Sequence, residues 1–344
     1  MPPGAVQRHR QPQTVRTRDV GHQRAPSVAC SGQGEQACRH SRIGASRYTD
    51  AVTVTAIHRF PVKSMLGESL QEAVIGPRGI AGDRAYAVLD VETGIVASAK
   101  VPRRWAGLLG FTASYTAEPA SDGPPPPVAI TFPDGQVCRT DDPSVDERLS
   151  TALGRQVRLV TEAPADSGFE ELWPDIEGLA PQAVIDATTT RHEESGEVIS
   201  RFGLSMFGAP GTFFDLSAIH VITTSTLDRL QELAPDSTFD ARRYRPNLVL
   251  SGPDEGFVEN GWPGGTAVVG AARIGFSFPT MRCVMTTLAQ QDLPDDRATL
   301  RTVAKHNRID IPQLGGRWAC AGVYADVVAP GRVAVGDAVE HLPG

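Results

Sequence analysis

The chain has 344 residues, a formal net charge of −7 and a sequence pI of about 5.6. With 40% apolar and 21% charged residues it has a globular composition, and its length allows two domains with separate cores. The acidic balance argues against a general nucleic-acid or membrane-surface binder, and no apolar run reaches the length of a membrane-spanning helix. Residues 1–48 hold eight arginines against one aspartate and one glutamate, without a sustained period, and read as a disordered basic tail. An arginine-rich, acid-poor start also has the composition of an organelle transit peptide. From residue 50 to 165 the pattern is β-like. Val52, Val54 and Ala56 alternate with threonines, as in a half-buried strand. Tyr86–Val91 and Ile95–Ser98 flank a glycine-containing turn, and Val128–Phe132 and Gln136–Arg139 flank Asp134-Gly135, which predicts two hairpins. Asp142-Pro143 and Gly154 bracket a short helix, followed by a strand from Val157. Short strands with close turns indicate a small barrel or sandwich.

The stretch 162–215 is rich in proline, glycine and acids with weak periodicity, and is expected to be a connection plus loops. A second domain is expected over 190–342. It contains a strand at Ile219, a helix from Thr224 or Ser225 ending at Ala234-Pro235, and strands at Asn247–Leu250 and Thr266–Phe278. A helix over Arg297–Asn307 and a closing hairpin, Val323–Val328 with Arg332–Val335, complete it.

Five scattered cysteines, with no Cys-x-x-Cys, fit reduced thiols in a cytoplasmic setting better than disulfides or a zinc ribbon. His192-Glu193-Glu194 lacks the second histidine of a zincin, and Ser205 lacks the flanking glycine of a nucleophile elbow. Pro61-Val62-Lys63-Ser64 offers an ammonium and a hydroxyl at a strand end, which suits an anion or an ordinary exposed turn. Arg84 follows Gly82-Asp83 and either reaches the same anion or pairs with a nearby aspartate. Arg242-Arg243-Tyr244-Arg245-Pro246-Asn247 brings three guanidinium groups to a strand start, where an arginine fork takes phosphate. Cys283 stands beside Arg282 and near Thr280, Thr286 and Thr287. That setting is expected to favour the thiolate, as a soft metal ligand or nucleophile, although a lone cysteine is also a common packing group.

Pro61-Val62-Lys63-Ser64, Arg245-Pro246-Asn247, Arg282-Cys283 and Pro330–Asp337, in that order, resemble the MOSC family in its form with an N-terminal β-barrel domain. The likeness runs over about residues 50–342 and is similar to the amidoxime-reducing component family. It implies a mainly β fold with a few short helices, in two β-barrel-like domains, α+β overall. It implies a molybdenum–pterin cofactor (Mo-molybdopterin) ligated by Cys283, which is then also the catalytic residue. Lys63, Ser64, Arg84 and Arg245 match positions that hold the pterin phosphate. Thr223 or Ser225 matches a further cofactor position, and Asn247 either orients the pterin or bonds backbone. The implied activity is reduction of N-hydroxylated or related N–O and S–O compounds. The partners it implies are a small-molecule substrate and a separate electron-donor protein of ferredoxin, flavin or cytochrome type. The alternative is a non-catalytic carrier of the cofactor or of sulfur. No pyridoxal phosphate chemistry is expected. After the cysteine, the family's Thr-x-Asp-Pro is replaced by Thr287-Leu288-Ala289-Gln290, with acids displaced to Asp292, Asp295 and Asp296.

Overall fold

Valine- and isoleucine-rich runs build a long sheet that draws on both ends of the chain. The computed structural model describes residues 51–342, apart from 163, 165, 205–211 and 253. The predicted basic tail, with Cys30 and Cys38, lies outside the described residues. Eight strands follow the order Glu68–Leu70, Thr53–Arg59, Leu248–Ser251, Ile219–Thr223, Gly316–Ala329, Ala272–Met281, Thr266–Val269, Val339–Leu342, and Arg308–Ile311 pairs separately with Gly316–Ala329. Ile219–Thr223 and Leu248–Ser251 run parallel, which requires a crossover, and the helix Thr224–Leu233 lies in it. The expected alternation of the first strand is broken by a bulge between Val54 and Ala56, so Val54 and Ile57 are the buried pair.

The first strand therefore pairs with the C-terminal half, and Glu72–Gly76 pairs with Gly331–Ala334. The closing hairpin expected from the sequence is not formed, because Gly331–Ala334 takes that distant partner and Gly316–Ala329 extends along Ala272–Met281. Near Tyr86 the turn forms, but only Leu89 and Val96 bridge across it, and Ala87–Asp90 finds its ladder on Val157–Val160. The Asp134-Gly135 hairpin forms as expected, with Gly135 at φ 82° and Phe132 bonded to Gln136. The short helix is Val145–Leu153, closed by left-handed Gly154.

The segment expected to be loops contains an antiparallel sheet. Gly168–Trp173 pairs with Val198–Gly203, and Thr189–His192 lies on its edge. All six residues of Gly168–Trp173 are buried, including Glu170 and Glu171. These carboxylates, which masked the strand pattern, are neutralised by Arg104 and Lys100. One apolar cluster around Val88, Trp105, Phe111 and Ile130 fills the N-terminal half. A second, around Ile57, Ile219 and Ile274, lines one face of the long sheet. The helices Thr224–Leu233 and Ala298–His306 bury Leu230, Leu300 and Val303 in a third. The fold is thus a mixed α+β structure of several sheets. No ladder among the described residues closes a sheet into a barrel, and a single bridge, Thr53 to Ala338, ties the far edge back to the first strand. Among the described residues no helix is long and apolar enough to cross a membrane.

Candidate functional site

Segments from distant parts of the sequence meet at one cavity. It is lined by Lys63 and Ser64, Arg84, Lys100 and Asp215, together with Arg245, Arg282 and Cys283. Among the described residues, three of the four non-glycine residues with positive φ lie here: Ser64 at 65°, Arg84 at 49° and Arg245 at 53°. Left-handed backbone costs a non-glycine residue roughly 1–2 kcal/mol, and such strain concentrates where function demands it.

Two guanidinium groups share one aromatic ring. Arg245 Cζ lies 4.1 Å from the centre of the Phe60 ring, and Arg84 Cζ lies 5.0 Å from it. Arg84 pairs with the adjacent, buried Asp83. Arg245 donates from Nη1 to the carbonyl of Met65 at 2.7 Å, while its buried Nη2 has no partner. Burial, with Arg84 beside it, pulls Arg245 down to about 9. Two lysines are cupped in the same way by Phe169, at 5.0 Å for Lys63 and 4.9 Å for Lys100. Asp215 bridges them, bonding to Lys63 Nζ and lying 3.2 Å from Lys100 Nζ. Burial alone would raise Asp215, but Lys100 and Lys63 hold its carboxyl far below the usual range. Burial outweighs Asp215 at Lys63, which is lowered. At Lys100 the pull of burial is outweighed by Asp215 and Glu171, and it is raised well above the ordinary value.

Cys283 lies two residues past the strand Ala272–Met281 and immediately precedes the turn Val284–Thr287. It is half-buried and packs beside Leu66, Leu109, Met285 and Leu288. Contrary to the expectation of a favoured thiolate, burial pushes the thiol up and outweighs Lys100 and Arg282, which act in the opposite direction. Of the threonine hydroxyls expected around it, two serve the backbone, Thr286 donating to the carbonyl of Cys283 and Thr287 to that of Val284, while that of Thr280 is buried without a partner. Arg282 donates to the carbonyls of Tyr244 and Ala321 and sits 3.3 Å from His220 Nε2. Burial and Arg282 hold His220 well below its usual value, so the neutral ring accepts there. Gly322, at φ +88°, leaves room for that ring, since a Cβ would stand 2.4 Å from His220 Nε2.

The arginine run separates by task. Arg242 pairs with Asp240 and Asp292 on the surface. Arg243 is buried and donates to the carbonyls of Thr238, Thr286, Leu288 and Pro294, fixing the segment after Cys283. Asp295 and Asp296, the displaced acids, accept from the backbone of Ala289 and Ala298. Three sequence-predicted residues stand apart from the cavity lining. Thr223 caps the helix Thr224–Leu233, accepting from Thr226 N, and donates to Glu259. Ser225 bonds to Thr223 and borders a separate groove with Asp228 and Asp254. Asn247 is buried, and its amide bonds His220 N, the His58 carbonyl and the side chain of Asp83 at Oδ2. Conversely, Lys100, Asp215, His220 and Tyr324 line the cavity without having been singled out from sequence. The available signal for Lys100 is a lone cation ending a run of small residues, Ala97-Ser98-Ala99.

Among the described residues no group of three His, Cys, Asp or Glu side chains converges on a metal position. The cavity instead gathers buried cations beside one thiol, an arrangement suited to an anion with a soft metal centre.

The family model for the MOSC domain matches residues 209–340, and that for the MOSC N-terminal beta barrel domain matches residues 51–106. No curated protein matches the chain. Among solved structures, the YuaD protein from Bacillus subtilis is similar at 10% identity and TM-score 0.40, over 86% of this chain and 97% of that one. YiiM from Geobacillus stearothermophilus is 21% identical over 37% of this chain and 54% of that one, with TM-score 0.26. YiiM from Escherichia coli is 19% identical over 37% and 55%, with TM-score 0.27. The chain spans about half the length of the two YiiM proteins.

Proposed function

This chain belongs to the MOSC family, with the N-terminal beta barrel module ahead of the MOSC domain, and we propose that it binds the molybdenum–pterin cofactor in the cavity at Cys283 and acts as an oxidoreductase. Family membership supports a role connected with that cofactor. The observation that carries the reading is the buried Nη2 of Arg245, unpartnered in a cavity where Lys63, Lys100, Arg84 and Arg282 also converge. A buried donor left without an acceptor costs about 1–3 kcal/mol, and a phosphate group supplies the missing acceptor. Cys283 alone cannot complete a metal site, but it fits a centre whose other soft ligands arrive with the cofactor.

In this reading Lys63, Ser64, Arg84 and Arg245 hold the phosphate. Ser64 Oγ already accepts from Ala99 N at 3.1 Å, which leaves its hydroxyl proton for the ligand. Phe60 keeps water from the two guanidinium groups and strengthens their hold. Cys283 would give up its proton on becoming a ligand, and burial, which holds that proton more tightly, disfavours free thiolate chemistry. When bound, the cofactor supplies a two-electron centre able to take oxygen from N-hydroxylated or related N–O and S–O compounds. Electrons come from a separate donor protein. We place the protein in the cytoplasm, in keeping with the unpaired Cys138, Cys283 and Cys320.

Protein purified from a host that makes the cofactor is expected to carry molybdenum, and Cys283→Ser to lose it while remaining folded. Wild type without molybdenum, with Cys283→Ser indistinguishable from it, would sink the reading. Amidoxime reduction with a supplied reduced donor then tests catalysis, and full molybdenum content without turnover would leave a carrier.

A further inference from the structure

The cavity has an arginine side and a thiol side, and Lys63 and Lys100 meet between them on Asp215 and Phe169. At one side, Arg84 and Arg245 flank Phe60, and the buried Nη2 of Arg245 is unpartnered. At the other, Lys100 and Cys283 border the cavity together. Lys100 is only 7% exposed. Its ammonium carries three donors. One goes to Glu171 Oε2 at 3.0 Å and one faces Asp215 Oδ2 at 3.2 Å. The third has no acceptor among the described residues. Phe169 covers one flank of the same ammonium and keeps bulk water from it. Glu171 lies in a strand buried along its full length, so it cannot swing outward and pull Lys100 away.

We propose that Lys100 is the substrate-oxygen contact of this site: its free N–H donates to the oxygen bound to nitrogen in an N-hydroxylated substrate positioned beside Cys283. The assignment rests on the cofactor reading given above. In the overall reaction R–NH–OH takes two electrons from the donor protein and two protons from solvent, the N–O bond breaks, and R–NH2 and water leave. Negative charge builds on the departing oxygen as that bond lengthens, and a fixed ammonium stabilises it there more than in the bound substrate. Lys100 stays protonated because Asp215 and Glu171 outweigh its burial, so the donor is present throughout the working pH range.

The test compares Lys100→Gln with Lys63→Gln. Glutamine keeps donors for Glu171 and Asp215 but removes the charge and the third N–H. In the cofactor-free protein, acetohydroxamate and inorganic phosphate serve as probes, with binding followed by calorimetry. Lys100→Gln is expected to weaken acetohydroxamate at least tenfold and phosphate much less, and Lys63→Gln to weaken phosphate more than acetohydroxamate. In molybdenum-loaded protein, Lys100→Gln is expected to lower kcat about 100-fold at equal metal content, with KM changed far less. Undiminished acetohydroxamate binding in Lys100→Gln would overturn the proposal, as would an unchanged kcat at full metal content. Lys100-dependent acetohydroxamate binding in a loaded but inactive wild type would overturn the reductase reading and leave the Lys100 contact standing. Should Lys100→Gln fail to fold, Lys100→Arg keeps the charge and the bonds to both carboxylates. Its bulkier fork is expected to raise KM for N-hydroxylated substrates tenfold at equal molybdenum content, and an unchanged KM would count against the proposal.

Discussion

Asn247 Nδ2 lies 2.9 Å from Asp83 Oδ2, a bond across 164 residues that joins a strand of the C-terminal half to the turn carrying Arg84. Asp83 also accepts from Phe60 N at 2.7 Å. Asn247→Ala leaves a buried carboxylate oxygen and the His220 N–H short of partners, so the urea midpoint is expected to fall by an amount equivalent to about 2 kcal/mol. Asn247→Asp should cost more, because it sets a second carboxylate against Asp83. A midpoint unchanged in Asn247→Ala would show that the amide holds nothing.

Arg245 predicts an alkaline gain in stability. Its folded value of about 9 lies below the ordinary arginine range. Below pH 9 it is charged in both folded and unfolded chains, and the penalty of the buried charge is fully present. Above pH 9 the unfolded chain binds more protons, so folding gains with pH. The stability difference between wild type and Arg245→Met should therefore move in favour of wild type as pH rises through 9. Saturating phosphate should flatten that trend by keeping the guanidinium charged. A pH-independent difference, measured in buffers free of phosphate, would contradict the assignment.

Cys283 should behave as a slow thiol in the cofactor-free protein. Burial raises it despite Lys100 and Arg282. Iodoacetamide labelling, followed by peptide mass spectrometry, is expected to be slower at pH 7 than for a free thiol, with its inflection above the usual value of about 8.5. Cys138 and Cys320 are buried and should stay unlabelled until the protein unfolds. An inflection below the usual value would show that the cations win.

Arg243 should be irreplaceable by lysine. Its guanidinium serves four backbone carbonyls, three of them in the segment Thr286–Pro294. A lysine ammonium cannot span that fork, so Arg243→Lys is expected to cost about 2–3 kcal/mol of stability. Limited proteolysis should then cut between Thr286 and Pro294, and resistance equal to wild type would refute the role.

Much of the cationic lining of the cavity is legible in the sequence because its residues sit at local signals: Lys63 after a strand and proline, Arg84 after Gly82-Asp83, Arg245 before Pro246. Thr223 stands off the cavity lining for a physical reason. A hydroxyl at the start of a helix has an ordinary occupation, capping, and the local sequence does not show that Glu259 also claims it. Lys100 and Asp215 are illegible because their meaning is mutual: a single carboxylate between two buried ammonium groups appears only once the chain has folded. The strand Gly168–Trp173 is hidden for a related reason. Its two glutamates look solvated until Arg104 and Lys100 are brought to them.

The first strand has a consequence for how the protein is made. Thr53–Arg59 leaves the ribosome early, yet its ladder partner Leu248–Ser251 is synthesised far later, and Glu72–Gly76 waits longer still for Gly331–Ala334. Until then both present unpaired edges, which are prone to join with other chains. The N-terminal module therefore cannot be finished alone, and a truncation that removes the last hundred residues should yield an aggregating fragment and no free-standing small domain. The cavity is a seam inside one folding unit, so any ligand it takes must be admitted by local breathing of the surrounding turns, because two halves stitched by shared strands cannot swing apart like a hinge.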